Sequence, residues 1–350
     1  MRRAPAALAL LVVAVLFVAD VPRFEPPHDV LITDDRSGDT YVRSDGQSSA
    51  LTDLCGSSRQ EQEEPSVAID PREPDVVAVG ANDGCGARFA TGWMGFYRSE
   101  DGGETWTRSL VPGFRQDSSE DGRRSPAHRD CDGASDPALA YDTEGRLYYA
   151  FICFGADRLG EPSLFVARYA ADGVDYVGTV TVRPSGTTGF EDKPAIAVDT
   201  TGGDHDGSTY VVWTDFSAFN GRVEFCSAVW FASSTNGGRS FGEAEQISRG
   251  VCGTVADVAV GPRGSIYVAF RSNQKVWVVA STDGGSSFGK PLSIANVNPY
   301  TGQHYTIATR SCGDGPGRCR NGRTFPRTET IPSVVVDAAG VHVALSLIHI

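Results

Sequence analysis

The sequence predicts an all-β protein, and three observations carry that prediction. Forty glycines and 19 prolines punctuate short apolar runs. No long stretch beyond the N-terminus has helical periodicity. One strand-turn-strand phrase also recurs: EPSVAIDPREPDVVAVG from Glu64, DPALAYDTEGRLYYAF from Asp136, KPAIAVD from Lys193 leading to TYVVWTDF, VADVAVGPRGSIYVAF from Val255, and IPSVVVDAAGVHVAL from Ile331. Each copy alternates, turns at Gly or Pro, and continues as a second apolar strand, which is the pattern of a β-hairpin.

Pro65, Pro137, Pro194, Ala256 and Pro332 mark equivalent positions, with spacings of 72, 57, 62 and 76 residues between them. Each interval leaves room for a third and fourth strand after the hairpin, so the unit is a four-stranded antiparallel sheet with variable loops. An array of such units must cover sheet faces and hide strand edges, and a β-propeller does both. Residues 51–350 are therefore read as a β-propeller of four-stranded antiparallel blades.

A second phrase sits between the third and fourth strands of these units. It reads SEDGGETW from Ser99, STNGGRSF from Ser234 and STDGGSSF from Ser281. Asp101, Asn236 or Asp283 can accept backbone N–H bonds across a turn, the glycines supply positive φ, and Trp106, Phe241 or Phe288 folds back as an apolar anchor. ARYAADGVDY, around Asp172, reads as a shortened copy. These phrases resemble the Asp-box, or bacterial neuraminidase repeat, of the sialidase superfamily. The matching positions are Ser99, Asp101, Gly103 and Trp106; Ser234, Asn236, Gly238 and Phe241; and Ser281, Asp283, Gly285 and Phe288. The resemblance covers roughly Leu51 to the end. It implies six blades in a complete chain, so the sequence, stopping at HVALSLIHI inside the fifth hairpin, is expected to be truncated. It also implies that these turns lie on the face opposite an active site, where they serve the fold.

A sialidase needs three arginines around the substrate carboxylate, a Tyr nucleophile activated by Glu, and an Asp acid/base. This sequence departs from that pattern. Its inner strands begin EEP, SDP and DKP where an Arg-Ile-Pro phrase is expected, and TIPS at Thr330 has threonine in the arginine position. No catalytic residue can be carried over.

A propeller binds ligands where the loops entering each inner strand meet those leaving each second strand. Those positions hold Glu64, Asp136, Asp192, Lys193, Arg327 and Glu329 before the inner strands, and Asn82, Asp83, Asp215 and Arg271 after the second strands. Together they would form a mouth of carboxylates and cations suited to an anionic or polyhydroxylated ligand; the alternative is that they cap turns in solvent. GGDHDGS, from Gly202, has carboxylates at calcium-loop spacing but too few oxygen ligands, and is read as a turn.

Residues 1–20 combine Arg2 and Arg3 with an apolar run from Ala6 to Ala19, which predicts a signal peptide or signal anchor and hence a secreted or extracytoplasmic protein. Membrane attachment would come only through that segment; residues 21–50 are read as a linker or closing strand. Eight cysteines fit export, and neighbour pairing would join Cys55 with Cys85, Cys131 with Cys153, Cys226 with Cys252, and Cys312 with Cys319. The last pair would close a small loop before the fifth inner strand. No CxxC or HxxxH spacing supports zinc, and no cofactor is called for. A net charge of −13 with no basic stripe disfavours nucleic acid. The resemblance implies a sialidase-like glycoside hydrolase acting on extracellular glycans or glycoproteins; a non-catalytic carbohydrate- or protein-binding propeller is the alternative, and a scaffold the third.

Overall fold

The structure, a computed structural model, describes residues 32–33, 41–44, 46–47, 49, 52–53, 55, 62–85, 92–155, 163–171, 173–183, 190–216, 227–272, 275–297 and 331–345. The recurring hairpins are the inner halves of successive sheets. The first sheet contains β2 (Gln62–Ile69), β3 (Val77–Asp83), β4 (Trp93–Ser99) and β5 (Thr107–Leu110). Within the stretch 21–50, β1 (Tyr41–Val42) pairs parallel with β5 on its outer edge. The second sheet is β6 (Gly133–Tyr141), β7 (Leu147–Phe154), β8 (Ser163–Tyr169) and β9 (Tyr176–Arg183). The third is β10 (Glu191–Val198), β11 (Thr209–Asp215), β12 (Ala228–Ser234) and β13 (Glu245–Gln246), and the fourth is β14 (Thr254–Val260), β15 (Ile266–Ser272), β16 (Lys275–Ser281) and β17 (Leu292–Asn296). A hairpin of β18 (Pro332–Val336) and β19 (Val341–Leu345) follows.

Neighbouring strands of each sheet pair in sequence order, and consecutive inner strands β2, β6, β10, β14 and β18 pack against one another. This arrangement fits a β-propeller. Three buried apolar clusters lie between successive sheets. The first gathers Phe96, Tyr149, Phe151 and Phe165, the second Ile152, Val166, Val211 and Trp213, and the third Val212, Phe231, Val268 and Phe270. Strands with apolar residues on both faces, such as β7, are sandwiched and buried along nearly their whole length. Val67, Ile69 and Val335 on the inner strands at the two ends of the array are exposed.

Four of the five first hairpins are closed by one device, the exception being β14–β15, where Gly261 follows the inner strand. The aspartate ending the inner strand turns its Oδ1 onto an N–H two residues ahead: Asp70 accepts from Arg72 at 2.9 Å, Asp142 from Glu144 at 2.9 Å, Asp199 from Thr201 at 2.9 Å and Asp337 from Ala339 at 2.7 Å. Between the first two sheets run the one-turn helices α1 (Glu120–Arg124) and α2 (Ala127–Asp130). Ser119 caps α1 by accepting from Gly122 N at 2.9 Å. Disulfides join Cys55 to Cys85 and Cys131 to Cys153. Cys252 is also disulfide-bonded, while Cys226, Cys312 and Cys319 lie outside the described residues. Among the described residues no helix is long and apolar enough to cross a membrane.

The three SxDGGxxW/F phrases adopt one geometry. Ser99 Oγ donates to Asp101 Oδ1 at 2.8 Å and accepts from Gly103 N at 2.8 Å, and Thr105 N reaches Asp101 Oδ1 at 2.8 Å. Ser234 and Asn236 repeat this with Gly238 N at 3.0 Å and Ser240 N at 3.1 Å, and Ser281 and Asp283 with Gly285 N at 2.9 Å and Ser287 N at 2.9 Å. The ring packs back on the core: Phe288 meets Phe231 of the preceding sheet edge-on at 4.7 Å. Asp172, in the shortened copy, lies outside the described residues.

Candidate functional site

Four inner strands carry the same defect near their start. The register slips between Glu63 and Ser66, Ser135 and Ala138, Asp192 and Ala195, and Thr254 and Ala256. At each bulge one residue has positive φ: Glu64 at 53°, Asp136 at 63°, Lys193 at 48° and Val255 at 50°. An L-residue there is strained, the more so when β-branched like Val255, so its surroundings must hold it. In three of the four, the preceding sheet does so by accepting the bulge N–H. Asp136 N donates to Asn82 Oδ1 at 2.7 Å, Lys193 N to Asp136 Oδ2 at 3.0 Å, and Val255 N to Thr214 Oγ1 at 2.9 Å. A bulge also re-aims its side chain.

The re-aimed side chains meet. Lys193 Nζ lies 2.5 Å from Glu64 Oε2 and 3.3 Å from Asp136 Oδ1, and Asn82 Nδ2 donates to Glu64 Oε2 at 3.1 Å. Asp192 hydrogen-bonds Asp136. Two carboxyl groups, those of Glu64 and Asp136, therefore share one ammonium, and Asp192 joins them through Asp136. Burial, then the hydrogen bond to Asp136 and its charge, push Asp192 up to about 8, so it holds its proton at neutral pH. Burial works in the same direction on Asp136, but the Asp192 hydrogen bond and the Lys193 charge outweigh it and leave Asp136 below the usual carboxylate range. For Lys193, burial is outweighed by Asp136 and Glu64, which raise it. With Asp192 neutral, the cluster holds one proton donor, two carboxylates and one ammonium.

No protein-family profile matches the chain, and no curated protein matches it in sequence. Solved structures match in part. A protein of unknown function from Dyadobacter fermentans aligns at 15% identity over 68% of this chain and 70% of that one, with a TM-score of 0.48. The intramolecular trans-sialidase from Ruminococcus gnavus aligns at 14% identity over 67% and 71%, with a TM-score of 0.49. An alpha-L-arabinofuranosidase from Fusarium graminearum aligns at 11% identity over 67% and 66%, with a TM-score of 0.46. Likeness at this level carries no argument about chemistry, which rests on the residues themselves.

Of the residues read as lining a mouth, Glu64, Asp136, Asp192 and Lys193 come together. Asp83 does not present its charge there. Adjacent strand residues point to opposite faces, so Asn82 reaches the cluster while Asp83 is fully buried, accepting from Tyr41 Oη at 2.8 Å, from Tyr97 Oη and from Cys85 N at 2.7 Å. Asp215 is buried opposite Glu191, and Arg271 pairs across from Thr254 one sheet further on. Arg327 and Glu329 lie outside the described residues. In the loop from Gly202, Asp206 Oδ1 accepts from Gly202 N at 2.8 Å, a turn contact.

Sequence reasoning missed Glu191. It is fully buried beside Asp192, accepts from Trp213 Nε1 at 3.1 Å and lies 3.3 Å from Arg183 Nε, whose guanidinium sits 5.1 Å from the centre of the Trp230 ring. Half-buried Phe190 stacks on Phe154 at 5.9 Å and lies 6.5 Å from Phe216, adding an apolar border at the same strand ends. The signal was the phrase FED, an aromatic and two acids entering one inner strand.

Proposed function

We propose that this chain is an exported β-propeller of the Asp-box type that hydrolyses neutral extracellular glycans, with Asp192 as the proton donor. The observation that carries the reading is the side-chain cluster at the inner-strand ends, where the Lys193 ammonium lies between Glu64 and Asp136 and the part-buried Asp192 beside them is pushed up to about 8 by desolvation and by Asp136. Glycoside hydrolysis needs a carboxylic acid that keeps its proton at working pH and a second carboxylate to counter the oxocarbenium charge. Asp136 hydrogen-bonds both Asp192 and Glu64, so the three form one unit in which Asp192 carries the proton and Glu64, held between Lys193 and Asn82, is the second carboxylate. Among the described residues no arginine belongs to the cluster, and its two ionised carboxylates outnumber its one ammonium. A substrate carboxylate would be repelled there, so neutral sugars fit and sialosides do not. Phe154, Phe190 and Phe216 offer faces for sugar rings.

The test is hydrolysis of a panel of neutral aryl glycosides and polysaccharides by the full chain. Activity is expected with an alkaline limb near pH 8, and Asp192→Asn is expected to lower kcat by about a hundredfold or more on substrates with poor leaving groups. Activity on sialosides alone would sink the neutral-sugar reading.

One observation favours a second reading. Both oxygens of Asp136 are engaged by Lys193, one by its N–H and one by its ammonium, which suits a joint between sheets. Under it the protein binds glycans without cleaving them. Retained glycan affinity with no turnover on the same panel would select it.

A further inference from the structure

At the opposite ends of these strands, a cleft of about 490 Å³ opens between the second and third sheets. It is lined by Arg146, Arg168, Arg239, Tyr148 and the turn around Gly237. In a chain carrying a net charge of −13, three arginines on one cleft call for an account. Arg146 is already committed, with Asp142 at 2.6 Å and Glu144 at 2.9 Å. Arg168 is not. Its guanidinium reaches only the carbonyl of Gly237, at 3.5 Å, and its buried Nε has no hydrogen-bond partner.

The first sheet supplies an internal control. Arg98 occupies the equivalent place near the end of the third strand, two residues before Glu100, and pairs with that carboxylate. In the second sheet the residue two beyond Arg168 is Ala170, so the acid that the fold offers Arg98 is missing. The cross-strand neighbour on β9 is Gly178, which has no side chain to cover the guanidinium. On the other side stands Gly238, at a φ of 67°; a Cβ there would meet Arg168 Cδ at 2.9 Å. Burial and the nearby charge of Arg239 both work against the Arg168 cation, yet an arginine does not give up its proton. The lining carries one carboxylate among the described residues, Asp206, and its Oδ1 faces Gly202 N.

We propose that this cleft binds a tetrahedral oxyanion, a sulfate or phosphate ester, held by Arg168 and Arg239 against the Gly237 turn. A partly buried guanidinium with no acid is stabilised by an anion that its planar fork can grip, and the exposed Arg239 supplies a second arm. The site lies away from Asp192, so it stands or falls independently of the hydrolase reading.

The test is calorimetric titration of the full chain at constant ionic strength, set with chloride. The probes are inorganic sulfate, inorganic phosphate, a sulfated disaccharide with its unsulfated counterpart, and a hexose 6-phosphate. Saturable binding of sulfate or phosphate is expected, and the esters show which form is preferred. Arg239→Ala is an exposed change that leaves the fold intact, and should weaken binding about tenfold. Ala170→Glu restores the missing acid in place, and should abolish anion binding while raising Tm in the absence of anion. The proposal is overturned if no probe binds above the chloride background, or if both variants bind as tightly as the wild type.

Discussion

Lys193 grips Asp136 twice: its backbone N–H donates to Oδ2 at 3.0 Å, and its ammonium returns to Oδ1 at 3.3 Å. One residue thus joins the second and third sheets through main chain and side chain together. The strained φ of 48° at Lys193 makes the double contact geometrically available, and the contact in turn holds the strain.

Replacing Asp136 with Ala removes the bulge acceptor and one partner of a largely buried ion pair. Glu64 still neutralises Lys193, so the cost falls at the low end for such pairs, about 3 kcal/mol. Denaturant unfolding at pH 7 measures it.

The pH dependence has a definite sign. Asp192 has a folded pKa raised to about 8, so it favours the folded state at low pH and that contribution is lost as pH rises from its unfolded value toward 8. Asp136, held low, behaves oppositely, and its contribution is lost as pH falls through its depressed value. The stability of the wild type relative to Asp192→Asn should therefore decline between about pH 4 and pH 8. Urea midpoints of the two proteins across that range provide the comparison; a flat difference would contradict the assignment.

Two glycines with similar backbone angles should respond differently to alanine. Gly202 has φ 69° and nothing within 4 Å of where an alanine methyl would sit, so Gly202→Ala costs only the left-handed backbone term, about 1 kcal/mol. Gly285 has φ 85°, and its Cβ would fall 2.5 Å from Phe231 Cζ, a ring buried between two sheets. Gly285→Ala should cost roughly 2 kcal/mol more than Gly202→Ala, read as the difference between their unfolding free energies.

Opening the Cys131–Cys153 bridge with a Cys131→Ala, Cys153→Ala double variant frees a loop of 22 residues in sequence separation. Loss of about 3 kcal/mol is expected, read as the difference between the unfolding free energies of the oxidised wild type and the variant; the wild type in reductant, which also loses the Cys55–Cys85 bridge, should unfold at a lower midpoint than the oxidised variant.

The hairpin starts at Glu64, Asp136, Lys193, Val255 and Ile331 could be read from residues alone, because alternation and turn chemistry are local and repeat with the sheet. Asn82 and Asp83 could not be told apart in the same way. Both end one strand, β3, but only pairing with β2 and β4 decides which faces the cluster and which is sealed beneath Tyr41 and Tyr97. Glu191 escaped notice because its partners, Arg183 and Trp213, are distant along the chain or lie on another strand, and a charge alone does not announce its burial.

By itself, the sequence determined the order of strands, the turn at each Ser-x-Asp-Gly-Gly phrase and the presence of acids and one lysine where inner strands begin. Short-range hydrogen bonding and side-chain alternation suffice for those features. Only the tertiary structure decided that Glu64 and Asp136 share the Lys193 ammonium, that Asp192 beside Asp136 retains its proton, and that Arg168 lacks the acid that Arg98 has. Ionisation and charge pairing depend on distance through space and on exclusion of water, and those are set when separate sheets pack.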